Sequence, residues 1–398
     1  MLHACRWLLP IDRAPFERAW IESHDGLITR FGQGAPPAPA IDLGDVAVLP
    51  GLVNAHTHIE LSWMAGLVPP APSMNEWILT LMRVRKTAFP GKDVERQSAR
   101  DAAAAMSAAG TVLVGDVSNT LMSPPVVTAA GLGGVVFHEL LGFGVMNPAG
   151  PVDDALDRAA RSAVIDAVPR MHVTIAAHAP YSVSPALFRE IGARAPAGPL
   201  TVHVGESGEE VEFLRTGGGP IRDMLETMGA WNAAWHAPRR GPVDYLHSVG
   251  YLRPGMLAVH GVHLTDDELG RLRDAGATLV TCPRSNLWVG AGMPRVSHFY
   301  AAGLPVAIGT DSLASVDSLS LFDELAELRR IAPDVAAASL LASATQVGAD
   351  ALGFGATYGT IARGKVAALV AVDVPARVAD VEEYLVGGVP SSAVRRLS

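Results

Sequence analysis

The chain has 398 residues, 49% apolar and 18% charged, with 31 basic against 40 acidic side chains and a net charge of −9. That apolar fraction excludes a disordered chain, and no basic excess supplies the phosphate contacts that a nucleic-acid polymer demands. With 2 Cys against 13 His, neither a disulfide scaffold nor a four-thiolate metal site can be built.

Residues 1–46 hold short segments broken by turn signals such as Asp25-Gly26 and the Pro-rich Gly34–Ala40. Met1–Pro15 has no basic region followed by a long apolar stretch, so no secretory leader is expected. No apolar run in the chain reaches the roughly 18–20 residues of a membrane-spanning helix. A cytoplasmic protein without membrane contact is therefore expected. Ala47–Val53 is the first of eight short runs rich in Val, Ile and Leu. The others are Thr111–Val117, Gly134–Glu139, His172–Ala177, Leu200–Val204, Met256–Val259, Thr278–Thr281 and Pro305–Gly309. Runs apolar throughout suit strands buried on both faces, as in a parallel sheet.

Helical periodicity lies between them, over Val94–Ala109, Pro151–Ala167, Pro185–Arg194, Thr265–Ala275 and Ser318–Ile331. Thr265 followed by Asp266, Asp267 and Glu268 reads as an N-cap with acids in the first turn. Eight strands alternating with helices indicate a (β/α)8 TIM barrel. A doubly wound open sheet is the alternative, but its nucleotide-binding form would carry a G-x-G-x-x-G after the first strand, and none is present. Near the end, Gly359–Ala362 and Val366–Val372 read as two strands around a Gly364-Lys365 turn. Pairing with the first strands would give a small β-sandwich domain from 1–48 and 357–398, beside a barrel over 49–356.

The polar residues fall just after the apolar runs: Asn54-Ala55-His56-Thr57-His58, His138-Glu139, His178-Ala179-Pro180-Tyr181, His203-Val204-Gly205-Glu206-Ser207, His260-Gly261-Val262-His263 and Gly309-Thr310-Asp311-Ser312. In a barrel the C-terminal strand ends meet at one face. His-x-His on a strand places two imidazoles on one side, ready to grip a metal ion. Together with His203, His260 and Asp311, the pattern predicts a metal site of imidazole and carboxylate donors suited to zinc, iron or manganese. Competing motifs fail. His138-Glu139 is not followed by a His at position 142, which is Gly, so no zincin helix exists. His58-Ile59-Glu60 lacks the P-C-x-x-C of the other zinc deaminase fold. Cys282 is assigned a packing role.

The elements Pro50-Gly51-Leu52-Val53-Asn54-Ala55-His56-Thr57-His58, His203-Val204-Gly205-Glu206, His260-Gly261-Val262-His263-Leu264 and Gly309-Thr310-Asp311-Ser312 resemble the amidohydrolase superfamily, in its cytosine deaminase-like branch. Within it, His58-Ile59-Glu60-Leu61-Ser62 and Asp311-Ser312-Leu313-Ala314-Ser315 look most like aminodeoxyfutalosine deaminases and S-adenosylhomocysteine/methylthioadenosine deaminases. The resemblance implies a metal-dependent barrel with a flanking β-domain, and one divalent ion, zinc before iron or manganese, held by His56, His58, His203 and Asp311. Binuclear relatives carry a lysine at the end of strand four. Here Ala176-Ala177-His178-Ala179 has none, so a single ion is expected, the alternative giving His178 or Glu139 to a second. Asp311 would accept a proton from the water whose pKa the ion lowers. His260 would steer that water, and Glu206 would shuttle protons to the ring and the leaving amine. Glu209 and Glu210 read as solvated loop carboxylates.

The implied reaction is deamination of a 5′-substituted adenine nucleoside, with His178, Trp77, Arg83, Arg284 and Ser312 as expected substrate contacts. Trp63, Trp231 and Trp235 join Trp77 as candidate walls for a flat ring. The alternatives are hydrolysis of another cyclic amide, amidine, or aminated or halogenated ring, and a non-catalytic metal-binding barrel. The expected partner is a small molecule. Barrel enzymes of this group often pair, so a homodimer is one expectation.

Overall fold

A computed structural model describes residues 1–162 and 171–397. Five strands come first: β1 (Leu2–Leu8), β2 (Phe16–His24), β3 (Leu27–Gln33), β4 (Ile41–Asp42) and β5 (Val46–Pro50). Eight follow as β6 (Leu52–Thr57), β7 (Thr111–Ser118), β8 (Gly133–Leu140), β9 (Met171–Ala177), β10 (Leu200–Val204), β11 (Met256–His260), β12 (Thr278–Thr281) and β13 (Val306–Ile308). The chain closes with β14 (Leu369–Asp373) and β15 (Val394–Leu397).

β6 to β9 pair in parallel, as do β10 to β13. Backbone hydrogen bonds join the two sets at both seams. His203 N donates to His178 O at 2.9 Å, and Thr310 N and Asp311 N donate to His56 O at 3.0 and 3.1 Å. The eight strands form the barrel of the (β/α)8 fold, and both seams close beside histidines. Strand phase decides which side chains face inward. Val135 and Phe137, Ala176, Leu257 and Val259, Val280 and Cys282, and Ala307 share one core. Residues one position away, such as Ile175, Ala258, Leu279 and Ile308, pack with the surrounding helices.

The strands from the two chain ends form one continuous sheet in the order β15-β14-β5-β1-β2-β3, with β4 on β1. β5 has two faces. Val46 and Val48 pack with Cys5, Leu8, Ile21, Ile28 and Leu369, whereas Ala47 and Leu49 join the helical core of the barrel.

The expected first barrel strand, Ala47–Val53, is two strands. Gly51 N still donates to Ala368 O beside β14, at 2.8 Å, while Leu52 N donates to Gly110 O at 2.9 Å. A Cβ on Gly51 would lie 2.2 Å from Val112 Cγ1, so only glycine allows this handover between sheets. Gly359–Ala362 is not a strand: Ile361 N bonds singly to Pro10 O at 3.1 Å and no ladder follows. Val366 makes only an isolated bridge to Leu27 before β14 begins.

The helix expectations fare well where periodicity is strong. Lys92–Ala108 buries Ala99, Ala102, Ala103 and Met106, a stripe at helical spacing. Pro185–Arg194 forms over the expected residues, capped by the Ser184 hydroxyl. Asp266–Asp274 starts with a full capping box between Thr265 and Glu268. The expected helix from Pro151 forms as Ala149–Ser162, and residues 163–167 of that expectation lie outside the described residues. Ser318–Ile331 begins later, at Leu321.

Candidate active site

Two groups of side chains converge at the barrel mouth. In the first, ring nitrogens of His56, His58 and His203 all lie within 4.8 Å of one another, and His56 Nε2 faces His203 Nε2 at 3.3 Å. In the second, Glu206, His260 and Asp311 offer polar atoms within 4.8 Å of one another. His58 Nε2 to Asp311 Oδ1, at 3.7 Å, links the two groups. All six residues expected to bind metal or move protons therefore meet.

Hydrogen bonds fix the tautomers. His203 Nδ1 donates to His178 O at 2.9 Å, which leaves Nε2 as a bare lone pair. Asn286 Nδ2 donates to His260 Nδ1 at 2.9 Å, so His260 carries its proton on Nε2, 3.5 Å from Glu206 Oε1. His260 sits on the strand phase of Met256 and Ala258, which point outward. Its φ of 75° turns the side chain back over the mouth. Asp311 also has positive φ, 61°. Such conformations cost of order 1–3 kcal/mol in non-glycine residues and persist where the surroundings hold them.

Those surroundings are specific. Around Asp311, the Thr57 hydroxyl donates to its carbonyl at 2.8 Å, and Ser285 Oγ donates to Oδ2 at 2.6 Å. Asn54 clamps the preceding residue, its Nδ2 donating to Thr310 Oγ1 at 2.7 Å and its Oδ1 accepting from Thr310 N at 3.2 Å. Glu210, expected in solvent, is fully buried. Its carboxylate accepts from Gly205 N at 3.0 Å and Glu206 N at 3.1 Å, which holds the turn that presents Glu206. Ser285 and Asn286, on the helix Pro283–Trp288, thus hold Asp311 and His260.

Electrostatics follow from burial. Burial pushes His58 down to about 3, and His178 and His203 to about 4. Burial, then the charges of neighbouring histidines, holds His56 and His260 well below the usual imidazole value. Neutral imidazoles keep the lone pairs that a metal needs. Burial, then Asp311 and the neighbouring glutamates, raises Glu206 well above the usual carboxylate range. Asp311 is raised by burial, opposed by the Ser285 hydrogen bond.

The donor set fits a divalent cation. Two buried imidazole Nε2 atoms face each other although His203 has no proton there, and His56 Nδ1 has no partner among the described residues. A cation would take both Nε2 lone pairs, with His58 and Asp311 completing an imidazole-rich, one-carboxylate set.

The expected substrate contacts scatter. His178 adjoins the cluster, its ring 4.8 Å from that of His203. Ser312 is buried, with Oγ 3.3 Å from Ser315 Oγ. Trp77 lies half-buried on the helix Met74–Thr87, packed on Trp63, Met64, Val68 and Ala314, and Arg83 on that helix is exposed. Arg284 is a correction: its guanidinium is already shared among Asp317, Ser318 and Glu324, so it is not free to hold a substrate carboxylate. Trp231 and Trp235 are another. With Phe143 and Phe213 they form an aromatic stack, Trp235 lying parallel to Phe213 with 4.7 Å between centroids.

The chain matches the Amidohydrolase family over residues 47–395. It is 30% identical to an aminodeoxyfutalosine deaminase of Deinococcus radiodurans, over 80% of this chain and 76% of that one. It is 32% identical to a 5-methylthioadenosine/S-adenosylhomocysteine deaminase of Nitratidesulfovibrio vulgaris, over 79% and 69%. A zinc-bound adenosine deaminase from Xanthomonas campestris superposes with a TM-score of 0.81 at 27% identity, covering 99% of this chain and 90% of that one. The Helicobacter pylori aminofutalosine deaminase bound to methylthio-coformycin shares the fold, with a TM-score of 0.83 at 22% identity over 96% and 94%. This chain belongs to the amidohydrolase family and is a hydrolase of carbon–nitrogen bonds other than peptide bonds.

Proposed function

We propose that this enzyme is a metal-dependent hydrolytic deaminase of a 5′-substituted adenine nucleoside, of the aminodeoxyfutalosine, S-adenosylhomocysteine or methylthioadenosine type, releasing ammonia. The observation that carries the reading is the group formed by Glu206, His260 and Asp311 beside three neutral imidazoles. The deaminase relatives, at 30% and 32% identity, support the substrate class. A cytoplasmic location and a small-molecule partner go with this reading.

His56, His58, His203 and Asp311 would hold one divalent ion, zinc first, which supplies a water of lowered pKa when bound. Asp311 accepts a proton as the water oxygen adds to the ring carbon bearing the amine. The His260 Nε2 proton orients that oxygen. Burial raises Glu206 toward its protonated form, so it can protonate the adjacent ring nitrogen; it then takes the remaining proton of the attacking oxygen, passes it to the amine, and is recharged by the proton that Asp311 accepted. The carbon–nitrogen bond then breaks, and carbonyl product and ammonia leave. His178, Trp77, Ser312 and Arg83 are the residues we assign to the substrate's edges.

The test is a screen of zinc-replete enzyme against adenosine, methylthioadenosine, S-adenosylhomocysteine and aminodeoxyfutalosine, followed by the absorbance change from adenine to hypoxanthine. Turnover is expected on at least one, abolished by a chelator and restored by zinc. Silence on every adenine nucleoside, with turnover of a cyclic amide or halogenated ring instead, overturns the reading.

A further inference from the structure

The His58-Ile59-Glu60 run contains a carboxylate that the chemistry above leaves unused. Glu60 is buried on the short 3-10 helix Ile59–Met64, which opens directly after His58. Its Oε1 accepts from Asn119 N at 2.8 Å. Its Oε2 accepts from Ser118 Oγ at 2.9 Å, Thr120 N at 3.1 Å and Thr120 Oγ1 at 2.8 Å. These donors lie on the last residue of β7 and the loop that follows it. A buried carboxylate needs compensation, and here N–H and O–H groups supply it.

A second carboxylate runs the other way. Asp116, also buried, on β7, accepts from Ile59 N at 2.8 Å through Oδ1. That N–H is the first of the 3-10 helix, and His58 at its N-cap supplies no side-chain cap of its own. The turn after β6 and the loop after β7 thus clasp each other through two carboxylates, and His58 lies between β6 and the clasp. Three other groups of the cluster are aimed by a hydrogen bond to the side chain itself: His203 to His178 O, His260 from Asn286, Asp311 from Ser285. The His58 ring has no such bond among the described residues. Its Nε2 is 3.7 Å from Asp311 Oδ1, beyond a hydrogen bond, and its backbone N–H reaches Asp311 O only at 3.4 Å. The aim of that ring is therefore set by the backbone that the clasp holds.

We propose that Glu60 is a positioning residue for His58: by binding the loop after β7 it holds the backbone that aims the His58 imidazole at the metal position. The proposal rests on the metal-dependent reading above. Asp116 is the other half of the clasp, and the two acids differ in what they can lose. Asp116 receives its backbone donor on one oxygen, so an asparagine keeps that bond with its carbonyl. Glu60 receives a backbone N–H on each oxygen, so either orientation of a glutamine turns its amide NH2 toward an N–H that needs an acceptor. A carboxylate that merely filled space would tolerate both amides alike.

The experiment measures the zinc dissociation constant, by competition with a chromophoric chelator, and the visible absorption of the cobalt(II) form. It compares wild type, Glu60→Gln, Asp116→Ala, Asp116→Asn and Thr120→Val, with melting curves to confirm folding. Glu60→Gln should weaken zinc binding about 10–100-fold, the range for groups that orient a metal ligand, and should shift the cobalt bands. Asp116→Ala should do the same, and Asp116→Asn should restore affinity and spectrum toward wild type. Thr120 is exposed, so Thr120→Val is expected to fold even where Glu60→Gln does not. It removes one hydroxyl donor and should move affinity and bands in the same direction by less. Wild-type affinity and spectrum in Glu60→Gln overturn the proposal, as does an equal loss in Glu60→Gln and Asp116→Asn. If Glu60→Gln does not fold, unchanged zinc binding in Thr120→Val overturns it. A wild type that binds neither zinc nor cobalt(II) overturns the metal-dependent reading itself, and this role of Glu60 with it.

Discussion

The two sides of the barrel mouth are built differently. On the side of β6 and β13, the groups are held across the seam where the two strands meet, by backbone and strand side chains together. His56 O takes two backbone donors, the Thr57 hydroxyl ties down Asp311 O, and Asn54 clamps Thr310. On the side of β10 and β11, side chains do the orienting. Asn286 sets the His260 tautomer, and the Glu210 carboxylate holds the turn at Gly205 and Glu206. The first side is fixed by folding. The second is fixed by residues that can be removed singly without dismantling a seam, so rate and stability should separate between them.

The strongest test of this division is Glu206→Gln. It should lower kcat about 10²–10⁴-fold, the contribution of a positioned acid–base group, while bound metal stays at the wild-type level. Near-normal turnover would remove Glu206 from the proton path. Next comes Asn286→Ala, which frees the His260 tautomer. A fall in kcat of about 10–100-fold is expected, as for other orienting partners of a metal site, with little change in melting temperature. A variant that melts early but turns over normally would place Asn286 with the folding devices instead. The smallest kinetic effect belongs to Thr57→Val. It leaves the Asp311 carbonyl short of a donor and should cost about 1–3 kcal/mol of stability in urea unfolding, with a smaller change in rate than Asn286→Ala. If Thr57→Val instead loses rate without stability, the contrast between the two sides fails.

How much of this was legible in the sequence depends on the reach of each interaction. The strand runs and the polar residues at their ends are local patterns, so the barrel and the meeting of His56, His58, His203, Glu206, His260 and Asp311 could be read directly. The inward turn of His260 could not, because its strand phase points it outward and only a φ of 75° reverses that. The partners Ser285 and Asn286 lie 26 residues from the groups they serve, and nothing local marks them. Glu210 looked like a loop carboxylate because its two donors are backbone N–H groups, which no side-chain pattern records. The Trp231 and Trp235 error has a similar origin: aromatic composition does not say whether a ring lines a cavity or another ring.

The break at Gly51 has a consequence for the order in which the molecule can be completed. β5 lies between β1 and β14, and β14 begins more than three hundred residues after β5 ends. As the chain leaves the ribosome, β5 can find β1 at once, but its other edge has no partner until synthesis passes the whole barrel. An unpaired edge invites pairing with the wrong chain. β5 runs through Gly51 directly into the strand that carries His56, so the foundation of that strand is among the last parts of the molecule to be secured.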